Sequence, residues 1–260
     1  MPVTRNAAGT DTVRIQSLGR AAALLDAMGD GGWHPLRNLA RATRLAKTTA
    51  FNLVTALVDV GLAERDPAVG AYRLGLRHVE YGRAVERRMD VLPRLRPLLI
   101  RLCSETNETV NLAIPRATDA LIVESLEGSQ GVRVTSYAGT RAAFHATACG
   151  RALLAHRPDP ERRAFLDHAA LIPITHNTIT DPVKLERLLA GCRRDGWVAE
   201  REENELGACC VAAPIVERGA AVAAISIAGP ATRMNSAMIA RIGNLLVRRI
   251  TELQQPRAAA

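Results

Sequence analysis

The chain runs to 260 residues, 48% hydrophobic, 23% charged and only 3% aromatic, so it can bury a core of Leu, Ile, Val and Ala in one or two domains. Its net charge of +8 is unevenly spread: residues 1–101 hold sixteen Lys/Arg against nine Asp/Glu, and residues 102–260 hold eighteen against seventeen. That asymmetry points to a polyanionic partner for the N-terminal part, and the lack of any apolar run near ~20 residues excludes a membrane-spanning helix.

From Ile15 to Met28 apolar residues recur every three or four positions, the pattern of one helix face, and Gly29-Asp30-Gly31-Gly32 ends it. Leu36, Leu39 and Ala40 mark a short second helix. After a break at Thr43-Arg44, the residues Ala50, Leu53, Val54, Leu57 and Val58 mark a third, stopped by Gly61. Leu62–Arg65 and Ala71–Leu74 flank the turn-rich DPAVG and read as a hairpin. Three helices followed by a hairpin is the order of a winged helix-turn-helix.

In that fold the third helix enters the DNA major groove with its N-terminal residues. Those residues here are Lys47-Thr48-Thr49, with Asn52 one turn later, an unusual opening for an otherwise apolar helix. Backbone N–H groups at a helix start favour phosphate, hydroxyls and Lys47 extend that anion site, and Asn52 suits an adenine edge. Arg44 in the turn and Arg73 on the second wing strand are further candidate backbone contacts. The alternative is a plain helical hairpin in which Thr48 is a cap.

The stretches QSLGRAAALLDAM, KTTAFNLVTALVDVGLAERD, AYRLG, FHATACGRALLA, TITDPVKLERLLAGCRRDGWVAEREENELGACCVAAPIV and AAISIAGPATRM resemble, in order and spacing, the IclR family of bacterial transcriptional regulators. The resemblance covers about Ile15 to Leu253. Many members carry Arg where this chain has Asn52, so their operator preference does not transfer.

Leu76 to Met89, rich in Arg and Glu, reads as a solvated helix, which the resemblance makes a linker between domains that contributes to dimerisation. Asp90 is placed to cap the next helix, with Leu95, Leu98, Leu99 and Leu102 on one face, and Pro97 must kink it or mark a later start. TVNLAIP, ALIVES and GVRVTSY then read as strands, Ala148–His156 as a helix, and Asp181-Pro182 as a helix start ending at Gly196. Trp197–Glu200, Cys209–Glu217 and Ala221–Ala228 complete six strands, and Asn235 opens a last helix. The expected fold is α/β overall: a winged helix-turn-helix over 11–75, a linker helix over 76–90, and an α/β sensor-like domain over 91–255. The resemblance implies that this last domain is GAF-like and holds a small molecule.

Three clusters are candidate ligand contacts. Backbone N–H groups near Cys149 and Gly150 open a helix and suit a carboxylate, although an isolated Gly150 equally serves close packing. EREENELGACC, residues 200–210, is an acidic loop that is equally a solvated surface. Ser226 is a hydroxyl in an apolar strand, which is as well a satisfied core group. The resemblance carries effector contacts onto Ala148, Cys149, Glu200, Cys210 and Ser226. It also places Ala228 where members often have a second Ser, which implies a less polar effector. An ionised Glu200 would repel a carboxylate unless a proton is shared. The implied effector is therefore a small organic acid carrying a hydroxyl, amine or ring, acting on a homodimer or a dimer of dimers bound to double-stranded operator DNA.

Five cysteines in an odd set without CxxC spacing give no disulfide framework or zinc ribbon, and MPVTRNAAGTDTV lacks the apolar stretch of a signal peptide. The expectation is a reduced, cytoplasmic protein needing no metal or cofactor. The rival reading is a cysteine-dependent enzyme using Cys149 and His145, four residues apart but with no third orienting group. A redox sensor at Cys209-Cys210 is a third, weakened because neighbours on a strand point to opposite faces.

Overall fold

The structure, a computed structural model, describes residues 14–254, and these divide into two compact units after Met89. In the first, α1 (Gln16–Ala27), α2 (Leu36–Thr43) and α3 (Lys47–Asp59) pack on one another. Leu24 and Met28 of the α1 end, Leu39 of α2, and Ala50, Val54 and Leu57 of α3 are buried together with Tyr72. Truncating such a leucine to Ala costs about 2–5 kcal/mol. A small antiparallel sheet of order β1-β3-β2 follows, made of β1 (His34–Pro35), β2 (Ala63–Arg65) and β3 (Ala71–Leu74). The two-residue β1 has too little pattern to announce itself in sequence. Helix α4 (Arg77–Glu86), shorter than the stretch read from Leu76 to Met89, leaves this wing. Arg77 and His78 tie its start to the carbonyls of Val60 and Leu62 at 2.6 and 2.9 Å.

The second unit begins with α5 (Val91–Thr106). It runs unbroken through Pro97, which forfeits one ladder bond rather than delaying the start, and Asp90 makes no capping bond. The six-stranded sheet, all antiparallel, has the order β6-β5-β4-β9-β8-β7. Its strands are β4 (Thr109–Pro115), β5 (Asp119–Leu126), β6 (Arg141–Ala143), β7 (Val198–Arg201), β8 (Ala208–Glu217) and β9 (Ala220–Pro230). The third strand thus lies at 141–143, not at GVRVTSY. That alternating segment has no apolar surface to bury against: Val132 is 71% and Tyr137 66% exposed. It is instead held by its Val134 carbonyl, which accepts from Thr109 Oγ1 at 2.5 Å.

Alternation along the strands splits the sheet into two faces. Val110, Leu112, Val211, Ile225 and Ile227 face α5 and α9 (Ser236–Gln254). Gly243 of α9 admits the Trp197 ring, which a Cβ would meet at 2.3 Å. Ala113, Ala212 and Ala224 face the other side, where α6 (Ala148–Ala155) and α8 (Pro182–Asp195) pack, with α7 (Asp159–His168) beside α8. Asp181 caps α8 by accepting from Val183 and Lys184 N–H, and Gly196 ends it with φ +78°. Helix α7 falls in a stretch where charge hides the period, and it was not expected. No helix among the described residues is long and apolar enough to cross a membrane.

Candidate functional site

Two regions carry side chains that packing does not explain. The first is the start of α3. Its N-cap is Ala46, which has no polar side chain, so Thr48 is the second residue of the helix and not its cap. Lys47, Thr48 and Asn52 are exposed and Thr49 is half-buried. None of the four side chains makes a hydrogen bond or ion pair among the described residues. Arg44 sits in the turn with φ +56°, a left-handed conformation that normally favours Gly, and its side chain is also exposed and unpaired among the described residues. Arg37 and Arg41 on α2 are exposed in the same way. The result is an uncapped helix start carrying Lys47, preceded by a turn and a helix whose exposed Arg residues are unpaired among the described residues, which suits an anionic backbone. Phe51, beside Asn52, is 45% exposed and fits an apolar contact such as a thymine methyl. Sequence reasoning passed over it because an aromatic in an apolar helix reads as core.

Arg73 corrects the sequence reading. It faces Glu64 across the wing strands and donates to that carboxylate at 2.9 and 2.7 Å, while its guanidinium stacks 4.4 Å from the Trp33 ring. This cation is already engaged and does not stand free for a phosphate. Arg65, exposed at the end of β2, has no ion pair among the described residues.

The second region is the α6 face of the six-stranded sheet. Register pairs Glu200 with Cys210, Cys210 with Ala228, and Ala228 with Thr109 in one row across β7, β8, β9 and β4. The adjacent row places Ala212, Ser226, Asn111 and Ser125 side by side. Ala148 and Cys149, at the start of α6, pack on this face. The structure therefore gathers Ala148, Cys149, Glu200, Cys210 and Ser226 on one side of one sheet. Gly150 departs from expectation: its N–H is taken by Thr147 Oγ1 at 3.1 Å, and an added Cβ would lie 2.4 Å from the Ala143 carbonyl. Close packing, not a free donor, explains that glycine.

Glu200 is buried, so the acidic loop is no solvated surface at this point. Burial pushes its carboxyl up to about 7, against the opposing effects of the Glu203 N–H, which donates to it at 2.9 Å, and the Cys210 thiol. Near neutrality this carboxyl is thus poised between its acid and its anion. Beyond it lies a pair that sequence reasoning missed. Arg151 of α6 is fully buried and grips Glu203 with its Nη1 and Nη2, and it donates to the carbonyls of His145 and Ala199 at 2.8 and 3.2 Å. Glu203 also accepts from the Ile179 N–H, and its carbonyl takes the Thr178 hydroxyl at 2.6 Å. A lone Arg inside the apolar ACGRALLA, with acids downstream, was the available signal.

A nucleophilic cysteine is contradicted. The ring of His145 turns its Nε2 to the Ile172 carbonyl at 2.9 Å, and Cys149 Sγ is paired with Thr147 Oγ1 at 3.7 Å. Burial lowers the His145 pKa and raises that of Cys149, so the pair holds a neutral imidazole and a thiol. Cys209 faces the α5 and α9 side and Cys210 the α6 side, which removes the vicinal redox pair as well.

Comparison with known proteins covers nearly the whole chain. Residues 83–251 match the model described as bacterial transcriptional regulator IclR C-terminal, and residues 17–67 match the IclR helix-turn-helix domain. The HTH-type transcriptional regulator BhcR of Paracoccus denitrificans is 33% identical over 94% of this chain and 88% of its own. The crystal structure of the Thermotoga maritima IclR, 29% identical, superposes with a TM-score of 0.71 over 91% of this chain and 96% of that one. An IclR homologue from Microbacterium hydrocarbonoxydans complexed with 4-hydroxybenzoate, 28% identical, gives 0.74 over 92% and 99%.

Proposed function

The chain belongs to the IclR family of DNA-binding transcriptional regulators, and from that premise we propose that a small organic acid held on the α6 face of its sheet alters its grip on operator DNA. The observation that carries this reading is Glu200: a carboxyl buried beside Cys210 and near Cys149, half-protonated near neutrality, that the packing of the sheet does not require. A ligand carboxylate beside it shares its proton, which removes the repulsion that an ionised pair would suffer. That the Microbacterium hydrocarbonoxydans homologue is complexed with 4-hydroxybenzoate supports an acid as the ligand class.

On the DNA side, Lys47, Arg44 and the α3 backbone hold phosphates, while Thr48, Thr49 and Asn52 meet base edges. A homodimer, or a dimer of dimers, sets two such helices at half-sites about one helical turn, ~34 Å, or a multiple apart. Effector control then requires different affinity for two arrangements of the dimer, a coupling of typically ~1–3 kcal/mol. The test is a gel-shift on the DNA upstream of the chain's own coding sequence, with acetate, benzoate or 4-hydroxybenzoate added. An acid-dependent change in affinity of fivefold or more, lost in Glu200→Ala, supports the reading. Indifference to every acid, with only cations or neutral sugars raising the melting temperature, ends it.

A further inference from the structure

Asn111 and Ser125 stand directly opposite each other on β4 and β5, on the α6 face, and Asn111 has Ser226 as its neighbour on β9. Asn111 is 3% exposed, and neither its Oδ1 nor the Ser125 Oγ has a hydrogen-bond partner although both atoms are fully buried. A buried polar group left unpaired is costly, so two adjacent ones on a functional face need a reason. Thr109, the next residue along the same face of β4, shows the contrast, because its hydroxyl is satisfied by the Val134 carbonyl.

We propose that Asn111 and Ser125, with Ser226, form a second polar subsite on the effector-binding face of the sheet that reads a hydroxyl or amino group at the far end of a bifunctional acid. The inference rests on the effector reading above and specifies its ligand. Cys210 on β8 and Asn111 on β4 lie two strand spacings of ~4.8 Å apart across β9 and, being in adjacent rows, two residues or ~6.8 Å apart along the strands, which separates them by about 12 Å. An acid of two or three carbons held near Glu200 and Cys149 does not reach that far. A hydroxyl or amine across a ring, or at the end of a chain of about six carbons, donates to Asn111 Oδ1 and accepts from the Ser125 hydroxyl, and Ala228 between the two ends gives its apolar middle a non-polar floor.

Calorimetric titration of the full chain with matched acids tests this: 4-hydroxybenzoate against benzoate, and 6-hydroxyhexanoate against hexanoate. The hydroxyl-bearing member of at least one pair binds wild type tenfold or more tightly than its parent, and Asn111→Leu and Ser125→Ala each cut that ratio several-fold. Unliganded Asn111→Leu melts no lower than wild type, because the unpaired amide is removed; a merely structural asparagine would melt lower. Parent and hydroxylated acids binding equally, with Glu200→Ala still abolishing both, overturn the subsite and leave the effector reading standing. Failure of all four acids to bind overturns both.

Discussion

The Glu203 backbone N–H donates to the Glu200 carboxyl at 2.9 Å, while the Glu203 side chain is held by the fully buried Arg151. One residue thereby links the candidate effector carboxyl to the only charge on α6. The arrangement positions Glu200 through its loop instead of through its own charge partner. That explains how a buried acid is kept in place while its proton stays exchangeable.

Replacing Arg151 tests this support. Arg151→Met leaves Glu203 buried without its partner, and such a loss costs about 3–5 kcal/mol. Arg151→Lys recovers only part of it, because an ammonium cannot make the forked contact with Glu203 and also reach the two carbonyls. Urea denaturation measures both. An Arg151→Met protein as stable as wild type would show that the pair contributes nothing.

Glu200 gives a pH signature whose sign is fixed. Its folded pKa of about 7 lies above the ordinary 4.5, so the folded state holds a proton that the unfolded chain releases. The contribution is fully favourable below about pH 4.5 and is lost as pH rises towards 7, on the order of 3 kcal/mol at ~1.4 kcal/mol per unit. His145 and His156, lowered chiefly by burial, act in the opposite sense, so the readout is the difference between wild type and Glu200→Gln. That difference grows in favour of the variant from pH 5 to 7.5. The affinity of wild type for an acid ligand falls above pH 7, whereas that of Glu200→Gln does not follow.

Arg44 occupies a left-handed position at the end of α2, where the Leu45 N–H bonds back to the Ala40 carbonyl. A residue with a Cβ there costs roughly 1 kcal/mol that Gly avoids. Arg44→Gly accordingly stabilises the folded chain by about 1 kcal/mol in thermal denaturation and yet weakens DNA binding several-fold. A glycine variant that binds DNA as well as wild type would deny Arg44 its role at the phosphates.

Thiol chemistry provides a further check. Cys149 and Cys210 are held as thiols by burial, so iodoacetamide at pH 6 leaves both unlabelled in the native chain and reaches them only with denaturant. Rapid native labelling of Cys149 would reopen nucleophilic chemistry at that position.

Much of this was legible in sequence, for identifiable reasons. The three N-terminal helices each carry a clear apolar face, and Gly61 and Gly196 end elements where left-handed geometry is needed. Glu200, Cys210, Cys149 and Ser226 were placed by resemblance; strand register brings Glu200, Cys210 and Ser226 to one face, and the packing of α6 on that face adds Cys149. GVRVTSY misled because alternation specifies a strand only where a partner edge and a surface to cover exist; Val132 and Tyr137 have neither. The ion pairs Arg73–Glu64 and Arg151–Glu203 join residues that composition treats as solvated charge. Asn111 was visible as an inward polar residue in TVNLAIP, but its lack of a partner is a property of the packed sheet alone.

The central claim is that the exposed start of α3 holds duplex DNA. The most direct measurement is the salt-dependent affinity of wild type, Lys47→Ala and Asn52→Ala for the chain's own upstream DNA and for random duplex. The account expects Lys47→Ala to weaken both equally and reduce the salt slope by about 1, and Asn52→Ala to lose about 1–3 kcal/mol on the upstream DNA alone. Both variants binding both duplexes as wild type does, or wild type binding neither at low salt, would contradict it.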